Sequence, residues 1–71
     1  MKEFFSISEA AKAVGMTAET LRHYDRIGLV RPGRVDEWTG YRYYTPRDLV
    51  RLDRVGMLRR MDMPLSEIKN I

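Results

Sequence analysis

Two helix boundaries in this chain lie almost on top of one another. Ser6, with Glu9 three residues on, has the form of a capping box, in which each side chain satisfies an unpaired backbone N–H of the other residue, so a first helix is expected over about residues 7–14. Ile7, Ala10, Ala11 and Val14 recur there at i, i+3, i+4 and i+7 and make one apolar stripe. Gly15 ends it, because glycine tolerates the left-handed conformation that closes helices. Only Met16 intervenes before Thr17, a good N-cap for a second helix over about residues 18–27. Two short helices joined by so tight a turn form a helix-turn-helix corner.

In the second helix Leu21 and Tyr24 form an i, i+3 pair that faces the first helix, and Ile27 closes the end before Gly28. Glu19, Arg22, His23 and Arg26 are left to project away. A polar, cationic helix of this length fits a DNA major groove, where side chains of the N-terminal half reach base edges and N-terminal amides meet phosphate.

From Leu29 the pattern changes. Two runs, 29–35 and 41–44, flank Asp36, Glu37, Trp38, Thr39 and Gly40, a turn-rich link suited to a β-hairpin, so a wing is expected over about residues 29–44. Pro32 has no N–H for a strand ladder and interrupts the first run or confines it to an edge. In the second run Arg42 and Tyr44 share one face and Tyr41 and Tyr43 the other, and alternation alone does not name the outer one. Tyr44 is expected to seat the wing on the helices, while Trp38 either packs under the wing or lies at its tip.

Thr45 and Asp48, with Pro46 at the first helical position, signal a third helix over about residues 46–61. Leu49, Leu52, Val55 and Leu58 give it an apolar side that Val50, Met57 and Met61 are expected to widen. Arg51 and Arg54 read as a solvated face. Asp62, Met63 and Pro64 break the chain before LSEIKNI, a fourth helix over about residues 65–71. The expected fold class is mainly α with a small β-hairpin, a winged helix-turn-helix filling the single domain that 71 residues allow.

Charge and composition narrow the functions open to such a domain. Residues 22–60 hold ten arginines against five acids, a local net charge of +5 within a total of +3, while all three lysines lie outside that segment. Arginine's planar fork suits phosphate better than a lysine ammonium does, which points to nucleic acid, with a solvated surface as the plain alternative. A chain this short buries only roughly 60% of its unfolded surface and has few side chains to spare for a substrate pocket. With no cysteine and His23 as the one histidine, neither a disulfide framework nor a soft-ligand metal site is available, and no cofactor is implied. No Ser-His-Asp constellation surrounds His23, and Asp36 and Glu37 sit in a loop, so no catalytic residue is assigned. The apolar run at the N-terminus is too short for a signal peptide, and none approaches the ~18 residues of a membrane span, so the chain reads as cytoplasmic.

The order SISEAAKAVGMTAETLRHYDRIGLVRP, TGYRYYTPRDLVRLDRV and MPLSEIKNI resembles, over essentially the whole chain, the N-terminal DNA-binding domain of the MerR family of bacterial transcription regulators. Three separate motifs, TLRHYDRIGL, GYRYY and LSEI, agree with it in order and spacing. The resemblance implies a second helix that enters the major groove of double-stranded DNA and a wing that touches the backbone beside it. Carried over by position, Thr17 and Ala18 open the recognition helix, and Arg22, His23 and Tyr24 fall where family members contact DNA. Arg42 is the wing arginine, Tyr41 stands next to it, and Arg59 matches a basic residue near the end of the third helix that reaches phosphate. His23 departs from the tyrosine frequent in its place. For Tyr24, core packing and a phosphate hydrogen bond from its hydroxyl both remain open.

The resemblance further implies a full-length homodimer, joined by a long C-terminal helix, with a downstream segment that senses a metal or small molecule. Such dimers distort an overlong promoter spacer so that RNA polymerase reads both of its elements, which is indirect readout. The dimer helix and effector domain lie beyond this chain, which is expected to be a monomeric half-reader. Two other readings stay open: a stand-alone MerR-like or excisionase-like DNA binder, and a winged-helix module that docks another protein.

Overall fold

In the computed structural model, which describes residues 3–70, the order is β1 (Phe5–Ser6), α1 (Ile7–Val14), α2 (Ala18–Arg26), β2 (Arg34–Val35), β3 (Arg42–Tyr44), α3 (Pro46–Arg60) and α4 (Leu65–Lys69). Residue 71, which the sequence places in the last helix, lies outside the described residues. The Ser6 hydroxyl accepts from the Glu9 amide at 3.2 Å while Glu9 accepts from the Ser6 amide at 2.9 Å, so the capping box is closed. Gly15 sits at φ 69°, ψ 31°, in the left-handed region, and the Met16 amide turns back to the Ala11 carbonyl at 2.9 Å. The Thr17 hydroxyl then caps α2 by accepting from the Thr20 amide at 3.1 Å. Ala10 and Ala11, both buried, keep the α1 surface low enough for Leu21 and Tyr24 of α2 to join one core with Leu29, Val30, Tyr44, Leu52, Val55 and Ile68.

The wing is part of a three-stranded antiparallel sheet, in the order β1-β3-β2. Phe5 pairs with Tyr44 and Ser6 with Tyr43 on one side of β3, and Arg34 pairs with Tyr43 and Val35 with Arg42 on the other. The sequence reading contained no β1, because a two-residue strand is too short to show alternation. Its strand over 29–35 is also shorter here. The amides of Leu29 and Val30 both point back to the Tyr24 carbonyl, at 2.8 and 3.4 Å, so these two residues, past the left-handed Gly28, close the end of α2 and pack into the core. Pro32 follows, and only Arg34 and Val35 reach the ladder.

Asp48 joins the wing to α3. Its carboxylate Oδ2 accepts from the Thr45 amide at 2.9 Å, completing the capping box, and from the Gly33 amide at 2.8 Å. The side chain is buried and both contacts are charge-assisted. Gly33 is required by this approach: a Cβ there would stand 2.7 Å from Thr45 Cγ2 and 3.0 Å from Asp48 Oδ2.

The third helix corrects one expectation. Val50, Met57 and Met61 do not widen the buried side; all three are exposed. At 3.6 residues per turn they fall across the helix axis from the buried residues of α3, Asp48, Leu52 and Val55. Tyr44, at the centre of the core, is fully buried, and its hydroxyl is the buried side-chain polar atom without a hydrogen-bond partner among the described residues.

Two substitutions test this packing. Gly33→Ala should destabilise the fold by about 1–3 kcal/mol through overpacking against Thr45 and the loss of the Asp48 contact; a denaturation midpoint equal to the parent's would show that the loop relaxes freely. Tyr44→Phe removes a hydroxyl that gains nothing from burial and should melt at or above the parent temperature, whereas Tyr44→Ala should lose about 3–5 kcal/mol.

Candidate nucleic-acid interface

The exposed face of α2 is built from the caps upward. Thr17 uses its hydroxyl on the Thr20 amide, which leaves the amides of Ala18 and Glu19, at the positive end of the helix dipole, with no partner among the described residues. Arg22, His23 and Arg26 stand exposed along the next two turns, and among the described residues neither arginine has an ion-pair partner. Tyr24 lies in the core with 7% of its surface exposed, so its ring is a packing element and only its margin is accessible. The His23 and Tyr24 ring centroids are 6.1 Å apart and tilted by 45°, which sets the imidazole beside the buried ring.

The wing meets α2 through an ion pair absent from the sequence reading. Arg42 Nε donates to the Asp25 carboxylate, with 44% of the arginine side chain and 16% of the aspartate side chain exposed. At this exposure the pair contributes about 0.2–1 kcal/mol, so its effect is orientation more than stability. Arg42 is the wing arginine named from the sequence, and its guanidinium is held against α2 by Asp25. A signal for Asp25 was present: an acid in the last turn of a helix opposes the dipole, so its position calls for a cation from elsewhere.

Further out, Tyr41 is exposed and Trp38 is 94% exposed at the hairpin tip, which settles the two alternatives for Trp38. Asp36 shapes that tip: its carboxylate accepts from the Trp38 amide at 2.9 Å and the Thr39 amide at 3.0 Å. Arg34, on β2, lays its guanidinium 5.7 Å from the centre of the Phe4 ring. At the far end of α3 Arg59 donates to the Met63 carbonyl at 3.1 Å, holding the turn in which Asp62 takes φ 60°. That bond uses one of the five donors of the guanidinium.

Thr17, Ala18, Arg22 and His23 thus share one helix and its cap, and Arg42 is tied beside them by Asp25, while the contacts of Tyr41 lie within the hairpin. Arg59 belongs to a separate element, the α3–α4 turn. Burial pushes the Tyr44 phenol above its ordinary value of 10.0, with the negative charge of Asp25 adding to the rise.

This fold, mostly helical with a small three-stranded antiparallel sheet and a second helix with exposed arginines held against a wing, is that of a winged helix-turn-helix domain. Residues 5–71 match the family model described as MerR HTH family regulatory protein, and the chain belongs to that family. It is similar to the multidrug-efflux transporter 1 regulator of Bacillus subtilis strain 168, with 43% identity over 70 residues covering 97% of this chain and 25% of that protein. Among solved structures it superposes on a MerR family transcriptional regulator from Bacillus cereus with a TM-score of 0.87 and 36% identity, over 94% of this chain and 49% of the other. HiNmlR, a MerR family regulator lacking the sensor domain and bound to promoter DNA, gives a TM-score of 0.84 and 36% identity over 94% of this chain and 52% of that one. The chain therefore spans about a quarter of the first of these relatives and about half of each solved chain. No helix among the described residues is long and apolar enough to cross a membrane.

The wing tip has a defined acid response. Hydrogen bonds from the Thr39 and then the Trp38 amide hold the Asp36 carboxyl below its usual 3.8, with a smaller contribution from the charge of Arg34. Because the folded value is depressed, the stabilisation is present above about pH 4 and is lost as pH falls through the folded value. Amide exchange at Trp38 and Thr39 should accelerate in acid before that of α1 or α3, and Asp36→Asn should abolish the difference; simultaneous loss in all elements would assign the transition to global unfolding.

Proposed function

We propose that this domain binds double-stranded DNA with sequence preference, as the reader domain of a bacterial transcription regulator, with α2 in the major groove and the wing on the adjacent backbone. The observation that carries this reading is the Asp25–Arg42 ion pair, which aligns the wing arginine with the exposed Arg22, His23 and Arg26 face so that both meet one duplex. The promoter DNA bound by HiNmlR supports it.

In this arrangement Arg22 and His23 reach base edges, while Thr17, Ala18 and the free amides of the α2 N-terminus approach phosphate. Arg42 takes the phosphate beside the groove, with Tyr41 next to it. Tyr24 is limited to what its exposed margin can reach, a hydrogen bond from the hydroxyl at most. Arg59 adds a backbone contact from the α3–α4 turn with the donors that Met63 leaves over. The complete protein would act in the cytoplasm as a homodimer and distort promoter spacer DNA in response to an effector, acting on RNA polymerase through the DNA. No catalytic step is assigned to any residue.

Three variants separate these roles in binding titrations against a site selected from random duplexes and against an unselected duplex. Arg42→Ala should weaken both about equally and lower the slope of log affinity against log salt by about one phosphate's worth. Arg22→Ala should cost about 1–3 kcal/mol on the selected site and relax preference at particular base pairs. Asp25→Asn leaves Arg42 in place but unheld, so affinity for the unselected duplex should stand or rise while discrimination falls. Retained discrimination in Asp25→Asn would remove the ion pair from the recognition mechanism.

A further inference from the structure

The hairpin tip is held in one shape, yet it leaves its largest side chain in water. Besides the two amides on the Asp36 carboxylate, the Asp36 amide donates to the Tyr41 carbonyl and the Asp36 carbonyl accepts from the Gly40 amide, both at 2.9 Å. The Thr39 hydroxyl accepts from the Tyr41 amide at 3.2 Å. On this fixed loop Trp38 is almost wholly exposed and Val35 is half exposed. Together with Arg34, Asp36 and Glu37 they line a recess of about 320 Å³. These are consecutive residues on one arm of the hairpin, so the recess can flank an occupant but not enclose it. Its charge is opposite to that of the recognition face: residues 35–41 hold two acids, Asp36 and Glu37, and no base. The arginines that bracket this run are turned elsewhere, Arg34 onto the Phe4 ring and Arg42 onto Asp25. Glu37 is exposed and has no ion-pair partner among the described residues.

The observations choose among possible occupants. A small molecule is poorly served, because ligand sites bury most of their ligand and this recess has one wall. Apolar side chains that enter a DNA groove are accompanied by arginine and lysine, whereas phosphates brought to this tip would meet two carboxylates. A cationic segment of a protein satisfies every part of it. A guanidinium stacks on the face of the indole and pairs with Glu37, and an apolar neighbour covers Val35. Because the loop is already ordered, docking costs little further ordering, and a rigid tryptophan is the kind of side chain that anchors an interface. We propose that the wing tip, residues 35–38, is a docking site for an arginine-bearing segment of a partner protein. The site acts in addition to DNA binding and does not rest on it, since Thr17, Ala18, Arg22, His23, Arg42 and Arg59 take no part.

Trp38 is the one tryptophan of the chain, so its emission reports on the tip directly. The probe is a short fluorescently labelled peptide that alternates arginine with leucine, and the control has glutamine in place of arginine. The arginine peptide should shift Trp38 emission and move the amides of residues 35–38, and the control should do neither. In anisotropy titrations of the label, Trp38→Ala and separately Glu37→Lys should each weaken binding about tenfold or more. Both positions are exposed, so an unchanged melting temperature confirms that the variants fold. Absence of binding, equal binding of the glutamine peptide, or binding that leaves Trp38 and its neighbours unmoved overturns the proposal. So does a duplex that shifts Trp38 emission while the peptide does not, which makes the tip a DNA contact. Concentration-dependent dimerisation of the domain, lost in Trp38→Ala, overturns it in favour of a second copy of this chain.

Discussion

The Asp48 carboxylate is the contact on which the rest of the architecture turns. One oxygen accepts from the Thr45 amide at the start of α3 and from the Gly33 amide at the start of the wing. Because the carboxylate is buried, losing either amide would leave part of a charged group unsatisfied, so the bonds hold the two elements together. Tyr44, the last residue of β3 and paired with Phe5, points into the core and fixes β3, which carries Arg42 two residues earlier. The position of the wing arginine is thus set by a hydrogen bond made by an aspartate six residues further along the chain.

A small domain cannot hold a hairpin rigid by core burial alone. Here β3 is paired on both sides, by β1 and β2, and Asp25 takes Arg42 from across the interface with α2. The ion pair contributes little stability at its exposure, but it decides where a guanidinium points. Helix face and wing consequently share a side of the molecule without a large interface between them.

Membership in the MerR helix-turn-helix family agrees with the motifs TLRHYDRIGL and GYRYY. What the family resemblance carried over as contact positions divides in the structure by environment. Arg22, His23 and Tyr41 are exposed, Arg42 is exposed but engaged, Arg59 is engaged with its own turn, and Tyr24 is given over to the core. Spacing in the sequence separates none of these states, since each depends on what lies across from the residue in space.

The sequence by itself determined the helix starts at Ser6, Thr17 and Thr45, the turn at Gly15, the cationic face of α2 and the tyrosine that seats the wing. The helix starts and the turn follow from interactions between residues only a few positions apart, and the face of α2 and the place of the tyrosine from periodicity, so local pattern carries them. Only the tertiary structure decided that Phe5 and Ser6 make a strand, that Gly33 lies against Asp48, that Asp25 holds Arg42, and that one apolar side of α3 remains outside. The Gly33–Asp48 and Arg42–Asp25 contacts join residues 15 and 17 positions apart. Local pattern does not encode such pairings, because closing the intervening loops costs entropy that the assembled core alone offsets.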